Sequence, residues 1–232
     1  DDEKLTQAQE NIYNSVKTDS FLDPIHTQLK EKIILLGFPD VIYFSSNDGN
    51  ENVLKSVYNQ IFTRLEEIEQ SKNPNKIILH IAAHSAGVAV VNEFLYSLFS
   101  KAPDFMKDDP SFKYWQKKVQ NKELILGSLT SMASQLPLFM FRFQRLVDKF
   151  YNNEKFNPSA IGLDGNDLNI KWKIFYDNQD LLGFPSKNLF SPRNSIEDIK
   201  VNSGWYIAAH TGYFRTREVI EGTADLINSN LG

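Results

Sequence analysis

The 232-residue sequence predicts a three-layer α/β fold, in which a mainly parallel, doubly wound sheet carries helices on both faces. Apolar runs of strand length alternate along the chain with segments whose apolar residues recur at helical spacing, a pattern typical of βαβ units. Hydrophobic residues make up 41% of the chain, and its length suffices to bury one substantial core. A single domain over residues 1–232 is the simplest interpretation, since no repeat or low-complexity linker divides the chain.

Each predicted element rests on the spacing of its apolar residues and on the cap and turn residues beside it. The second helix, for example, begins at Asp23-Pro24, a cap followed by proline at the first helical position, and stops at Gly37. In the N-terminal third, the predicted elements are a helix over residues 5–17, a helix over 24–36, a strand over 41–44, a turn over 45–50 and a helix over 54–68. Between residues 77 and 120, the predicted elements are a strand over 77–83, a helix over 88–99 and a surface excursion or lid-like insertion around 100–120 with a short helix near Trp115. From residue 124 onward, the predicted elements are a strand over 124–129, a helix over 136–150, a loop over 152–168, strands over 170–176 and 196–201 and a closing helix over 219–227.

Composition argues against several classes of function. The net charge of −4, without a basic cluster, argues against a nucleic-acid-binding protein, and no apolar run is long enough for a transmembrane segment. The absence of Cys excludes disulfides, thiolate metal sites and cysteine nucleophiles. No spacing of His, Asp and Glu supports a metal site, and no cofactor is expected. Neither the compartment nor the oligomeric state follows from these residues.

One serine stands in a setting that predicts a nucleophile. The apolar run from Ile77 leads into Ala83-His84-Ser85-Ala86-Gly87, after which the chain turns helical. Small residues suit a sharp, strained strand-to-helix turn, because bulky neighbours would collide where the two backbones approach. Ser85 is therefore the candidate nucleophile, and the backbone N–H of Ala86 is one candidate donor to an oxyanion.

A base and an acid follow the serine in chain order. His210 is the only histidine after Ser85, and we expect it on a loop between the last strand and the last helix. The acid must lie between the two, just beyond a strand end at the same edge of the sheet. Asp177 and Asp180 both follow the strand over 170–176, and Asp177 is also placed to cap the turn through its own backbone.

These segments resemble the α/β-hydrolases, whose serine turn usually reads G-x-S-x-G, with Ala83 here in place of the first glycine. The stretch Asp180–Pro185 resembles the D-x-(V/L)-x-x-P turn common after the acid strand of that superfamily, which favours Asp180 over Asp177, the alternative acid. In a little-characterised bacterial group, D-x-x-D-(V/L)-x-G-(Y/F)-P and H-T-x-Y-(W/F) segments accompany the serine turn, and His210–Phe214 fits the second pattern. The resemblance implies the α/β-hydrolase fold and a serine esterase or lipase.

The resemblance also implies an acyl-transfer mechanism. His210 would accept the Ser85 proton, the serine would attack an ester carbonyl, and Asp180 would hold the imidazole in the required tautomer. In that superfamily the second oxyanion donor comes from a loop after an earlier strand, often reading H-G. No such strand and loop precede residue 41, so we expect this donor, with the N-terminal strands of the fold, upstream of Asp1.

Apolar residues at the start of the helix over 136–150 are candidates for a substrate pocket. Leu136, Leu138 and Phe139 should overlook the edge of the sheet where the serine stands, where they would line an acyl pocket or form a cap helix. The alternative is a buried amphipathic helix. His80 and His84 are expected to pack or hydrogen-bond on the strand and to play no catalytic part.

The leading hypothesis is therefore a serine hydrolase that acts on a small-molecule or lipid ester. One alternative keeps the fold but has weak or no catalysis and serves as a binding module, and it is motivated by the missing oxyanion loop. A further alternative is the catalytic part of a secreted effector, which the composition does not distinguish from the first hypothesis.

Overall fold

The structure, a computed structural model, describes residues 6–7, 10–12, 14, 47–72, 74–140, 144–205 and 207–231. Its helices are α1 (Asn47–Lys72), α2 (Ala86–Phe99), α3 (Pro110–Gln120), α4 (Leu136–Phe139), α5 (Gln144–Tyr151), α6 (Ile207–Gly212) and α7 (Arg217–Asn228). Its strands are β1 (Ile77–His84), β2 (Leu124–Met132), β3 (Trp172–Tyr176) and β4 (Ile196–Lys200). Single 3₁₀ turns cover Pro158–Ile161, Lys187–Leu189 and Tyr213–Arg215.

The strands of the described residues form one parallel sheet in the order β1-β2-β3-β4. His84 pairs with Met132, Met132 pairs with Phe175, and Tyr176 pairs with Lys200. The carboxyl ends of all these strands therefore meet at one edge, where parallel sheets usually carry their ligand sites. The predicted α/β class with a parallel sheet is confirmed.

Helices pack on both faces of the sheet. Trp172 and Ile174 of β3 point into the main apolar cluster, which also contains buried residues of α1, α2 and α3. Phe175, one position along, lies on the opposite face in a second apolar cluster. That second cluster consists of Met132, Ala133, Phe175, Val201, Tyr213 and Val219, so that α7 covers this face through Val219.

Helix α3 is part of the main helical layer. Asp109 caps it by accepting from the Phe112 N–H at 2.8 Å, and proline occupies its first position. Phe112 and Trp115 are fully buried, with ring centroids 5.6 Å from Tyr58 and 6.4 Å from Phe62, respectively. The helix expected near Trp115 is thus present, but its apolar face anchors it to α1 and it is not a lid.

Replacing Phe112 with alanine is expected to lower the free energy of unfolding by about 3–5 kcal/mol, the cost of emptying a packed aromatic site. Urea denaturation of the two proteins measures this change. Lys117→Ala, on the exposed face of the same helix, is the matched control and should stay within about 0.5 kcal/mol of the parent. A loss below about 1 kcal/mol for Phe112→Ala would show that α3 is only loosely attached.

Other elements differ from the prediction in extent. The helix predicted over 136–150 is divided into α4 and α5, and the turn predicted over 45–50 overlaps the start of α1. Asp48 lies in the first turn of α1, where its negative charge interacts favourably with the positive end of the helix dipole. The helix predicted over 24–36 and the strand predicted over 41–44 lie outside the described residues. Among the described helices, none combines the length and the apolar character needed to cross a bilayer.

Candidate active site

Ser85 stands on a sharp turn between β1 and α2. Its φ of 57° and ψ of −132° lie in a region that residues with a side chain rarely adopt, so the turn is strained. The Ser85 N–H donates to the Met132 carbonyl at 2.9 Å, and the Ser85 carbonyl accepts from the Val88 N–H at 3.1 Å. The end of β2 and the first turn of α2 therefore hold the turn in place, and the strand–serine–helix arrangement expected from the sequence is present.

The small residues Ala83 and Gly87, on either side of Ser85, lie in different surroundings. Ala83 is buried in the main apolar cluster, so a larger side chain at this position would displace its packed neighbours. A Cβ on Gly87 would meet nothing within 4 Å among the described residues. Within the described residues, crowding therefore does not account for the glycine at position 87.

His210 and Asp180 form a continuous chain of hydrogen bonds with Ser85. Nε2 of His210 lies 2.9 Å from Oγ of Ser85. Nδ1 of His210 lies 3.0 and 3.1 Å from the two carboxylate oxygens of Asp180. His210 stands in the short helix α6 and not on the predicted loop, because Ala208 and Ala209 favour helix. The structure thus brings together the residues that the sequence proposed as nucleophile, base and acid.

The Asp180 carboxylate is buried and held on both oxygens. Its exposed fraction is 1%. The Leu182 N–H donates to Oδ1 at 2.9 Å, and the Tyr213 hydroxyl donates to Oδ2 at 3.0 Å. A Cβ on Gly183 would lie only 2.6 Å from Oδ2. The orientation of the carboxylate therefore depends on these donors and on the absence of a side chain at Gly183.

Asp177, the alternative acid, ties the loop after β4 to the end of β3. Its carboxylate accepts from the N–H of Ser203 at 2.6 Å and from the N–H of Gln179 at 2.9 Å. The Ser203 hydroxyl lies 2.9 Å from the same carboxylate and 2.8 Å from a carbonyl of α6. The two aspartates thus have different partners: Asp180 contacts the imidazole of His210, whereas Asp177 holds the segment that leads into it.

His84 has a part in the site that the sequence did not reveal. Its Nε2–H donates to the carbonyl of His210 at 2.6 Å, since a carbonyl can only accept. The His84 ring centroid lies 4.9 Å from that of His210 and 5.0 Å from that of Phe214. His84 therefore anchors the backbone of the candidate base, while Asp180 orients its ring.

Burial lowers the pKa of His84 below its ordinary value of 6.5. Below pH 6.5 the unfolded chain binds a proton at this residue more readily than the folded protein does, so stability should fall as the pH falls through this range. Urea denaturation over a pH series measures the dependence. His84→Gln keeps an N–H donor without a titrating ring and should flatten the curve, whereas parallel curves for parent and variant would contradict this role.

His80 has a structural role in the sheet. Nδ1 of His80 lies 2.8 Å from Oγ of Ser128 on the neighbouring strand, as expected for a histidine of the sheet. Burial also lowers the pKa of His80. Within the described residues, no group of His, Asp and Glu side chains is arranged to hold a metal ion.

The three pocket candidates differ in burial. Leu136 and Phe139 are buried in the main apolar cluster, with exposed fractions of 4% and 2%. Leu138 is only partly buried and packs against the edge of that cluster. The alternative of a buried amphipathic segment therefore describes Leu136 and Phe139, while a pocket role for Leu138 stays a prediction.

One oxyanion donor has a clear position. Ala86 is the first residue of α2, where backbone N–H groups have no intrahelical acceptor and the helix dipole is positive. Its N–H follows Ser85 directly in the chain, and its role as an oxyanion donor stays a prediction. The second donor stays a prediction, since none of the described residues was proposed for it.

Comparison of the chain with known protein families, curated proteins and solved structures finds no match. The functional inference therefore depends on the geometry of the site. A hydroxyl within hydrogen-bond distance of an imidazole, itself bonded to a buried carboxylate, is the arrangement that activates a serine for nucleophilic attack.

Proposed function

We propose that this protein is a serine hydrolase of the α/β-hydrolase type that cleaves carboxylic esters. The observation that carries the proposal is the continuous chain of hydrogen bonds from Ser85 Oγ through the His210 imidazole to the Asp180 carboxylate. The parallel sheet, with the serine on a strained turn between a strand and a helix, supports the fold part of the proposal.

Each group has one task in the proposed reaction. His210 takes the Ser85 proton as Oγ attacks the ester carbonyl, and the imidazolium then gives that proton to the departing alcohol. Water, deprotonated by the same imidazole, attacks the acyl-enzyme and releases the carboxylic acid. Asp180 accepts the Nδ1–H throughout, so that Nε2 faces the serine and the positive charge on the ring is compensated.

The tetrahedral intermediate needs donors for its oxyanion. The Ala86 N–H supplies one, and the N-terminus of α2, a helix of 14 residues, adds a favourable dipole. A second donor, proposed to come from a loop upstream of the described sheet, would complete the hole. Loss of one such donor typically slows turnover by about 10²–10³-fold, so a site with Ala86 alone would be slow.

The substrate class is proposed as a small-molecule or lipid ester. Leu138, which is partly buried beside the main apolar cluster, is proposed to contact an acyl chain. The binding-module alternative would gain support if the serine and the base were far apart. His210 Nε2 and Ser85 Oγ are only 2.9 Å apart, so this distance does not favour the binding-module alternative.

Hydrolysis of p-nitrophenyl esters with acyl chains of increasing length tests the proposal. We expect a burst of p-nitrophenol equivalent to the enzyme concentration, followed by slower steady release, because acylation and deacylation are separate steps. Dependence of the rate on acyl length would show whether lipid-like esters are preferred. Release at the buffer rate with every ester would contradict the proposed function.

A further inference from the structure

Tyr213 lies at the back of the site, three residues after His210. It is fully buried and belongs to the 3₁₀ turn that follows α6. Its ring packs in the second apolar cluster with Phe175, Val201 and Val219. Because this packing fixes the ring, the position of the hydroxyl at its tip is also fixed.

The hydroxyl proton of Tyr213 has one possible direction. The Asp177 N–H donates to the Tyr213 oxygen at 2.8 Å, and the same oxygen lies 3.0 Å from Oδ2 of Asp180. A backbone N–H can only donate, so the single hydroxyl proton points at the Asp180 carboxylate. Burial raises the pKa of Tyr213, and the negative charge of Asp180 raises it further, which keeps the hydroxyl protonated.

This hydrogen bond balances the two oxygens of Asp180. Oδ1 accepts from the Leu182 N–H, Oδ2 accepts from Tyr213, and the Nδ1–H of His210 lies within reach of both. Hydrogen bonds to a buried carboxylate are stronger than those between neutral groups, and they draw negative charge toward the donor. Tyr213 therefore affects both the orientation of the carboxylate and the charge that faces the imidazole.

We propose that Tyr213 is a positioning residue, whose hydroxyl holds the Asp180 carboxylate against His210 and carries part of its negative charge. The catalytic meaning of this interaction rests on the proposed function, whereas the interaction itself does not. Base and positioning residue stand on consecutive turns, so the same segment brings both to Asp180. Within the described residues, this segment also bonds to Ser85 and His84 at His210, to the Asp177 N–H at Tyr213 and to the Ser203 hydroxyl at Ala209.

The test is Tyr213→Phe, which keeps the ring and removes the hydroxyl. Tyr58→Phe is the matched control, because Tyr58 is also fully buried but lies in the main apolar cluster between α1, α2 and α3. The chain has four histidines, so their ring C–H signals can be followed separately by NMR across pH, and His210→Gln identifies the signal of the base.

Without the hydroxyl, the undivided charge of Asp180 should hold the imidazolium proton of His210 more tightly. We expect the titration midpoint of the His210 signal to move to higher pH by about half a unit or more, with no movement in Tyr58→Phe. Replacing Tyr213 by 3-fluorotyrosine, a more acidic donor of nearly the same size, should move the midpoint the other way. This second variant serves equally if the phenylalanine variant folds poorly.

Kinetics provide the catalytic readout. In Tyr213→Phe, kcat for ester hydrolysis should fall about 10- to 100-fold with KM within about two-fold, and the acid limb of the pH profile should move with the NMR midpoint. An unmoved or lowered midpoint overturns the proposal, whether or not esters are hydrolysed. A raised midpoint in a protein that hydrolyses no ester supports the Tyr213–Asp180 interaction and contradicts the proposed function instead.

Discussion

Replacing Ser85 with alanine is expected to lower kcat for ester hydrolysis by about 10⁵–10⁶-fold, a loss that removal of the His210 imidazole should match. Without Oγ no acyl-enzyme forms, and His210 and Asp180 have no nucleophile to activate. The fold should persist, since the backbone hydrogen bonds of the turn remain and the loss at the side chain is the single contact with His210 Nε2. Steady-state assays at high enzyme concentration, with urea denaturation alongside, measure both effects.

Ser56→Ala is the matched control for that loss. Ser56 is exposed on α1, where its hydroxyl accepts from Gln60 of the same helix at 3.0 Å, and its replacement should leave kcat within about two-fold of the parent. Residual hydrolysis above about one per cent in Ser85→Ala would mean that another group performs the chemistry, and the proposed nucleophile would be wrong.

Replacing Asp180 with asparagine is expected to lower kcat by about 10⁴-fold. The carboxamide can place an N–H donor where the carboxylate accepted a hydrogen bond. The imidazole would then carry its proton on Nε2, which faces Ser85, and could no longer accept the serine proton. Binding of substrate should change little, because Asp180 is buried behind His210. The pH dependence of kcat and the separation of kcat from KM measure these effects.

Asp177→Asn is the matched comparison, since both aspartates are buried and follow β3 within four residues. Its carboxylate binds Ser203 and the backbone, so its loss should cost about 1–3 kcal/mol of stability and less than about ten-fold in kcat. The reverse order, with Asp177→Asn the less active variant, would assign the acid to Asp177.

Local patterns predicted the sheet and the order of the candidate site residues. The runs that became β1, β2 and β3 are short and mostly apolar or aromatic, and β4 alternates apolar Ile196 and Ile199 with charged residues, patterns typical of strands. Once the strands are parallel, their carboxyl ends share an edge, so the segments that follow β1, β3 and β4 and carry Ser85, Asp180 and His210 lie at the same edge.

The contacts that stabilise the site could not be predicted in this way. His84 donates to a carbonyl 126 residues away, and Tyr213 reaches an aspartate 33 residues earlier in the chain. Each depends on how a loop is folded, which apolar periodicity does not describe. The surface excursion or lid-like insertion expected around 100–120 does not describe α3, because Phe112 and Trp115 bury one side of this helix while Pro110 and Lys117 lie on its exposed side.

The residues that hold the candidate base and acid in place have different roles. Asp177 and Ser203 fix the segment after β4, His84 fixes the backbone of His210, and Tyr213 fixes Asp180. The candidate base and acid are thus held by different donors, and Asp177 connects the two sets because its N–H also donates to the Tyr213 oxygen. Such preorganisation is what a serine hydrolase requires, because a displacement of about 1 Å at the nucleophile can cost about 10²-fold in rate.

Labelling with a fluorophosphonate ester tests the central claim most directly, since this reagent forms a stable phosphonyl ester only with a serine whose neighbouring base is active. We expect one adduct per chain, mapped by peptide mass spectrometry to Ser85, and abolished in Ser85→Ala and His210→Ala but not in Ser56→Ala. A folded protein that remains unlabelled, or that is labelled at another serine, would contradict the assignment of Ser85 as the nucleophile of a serine hydrolase.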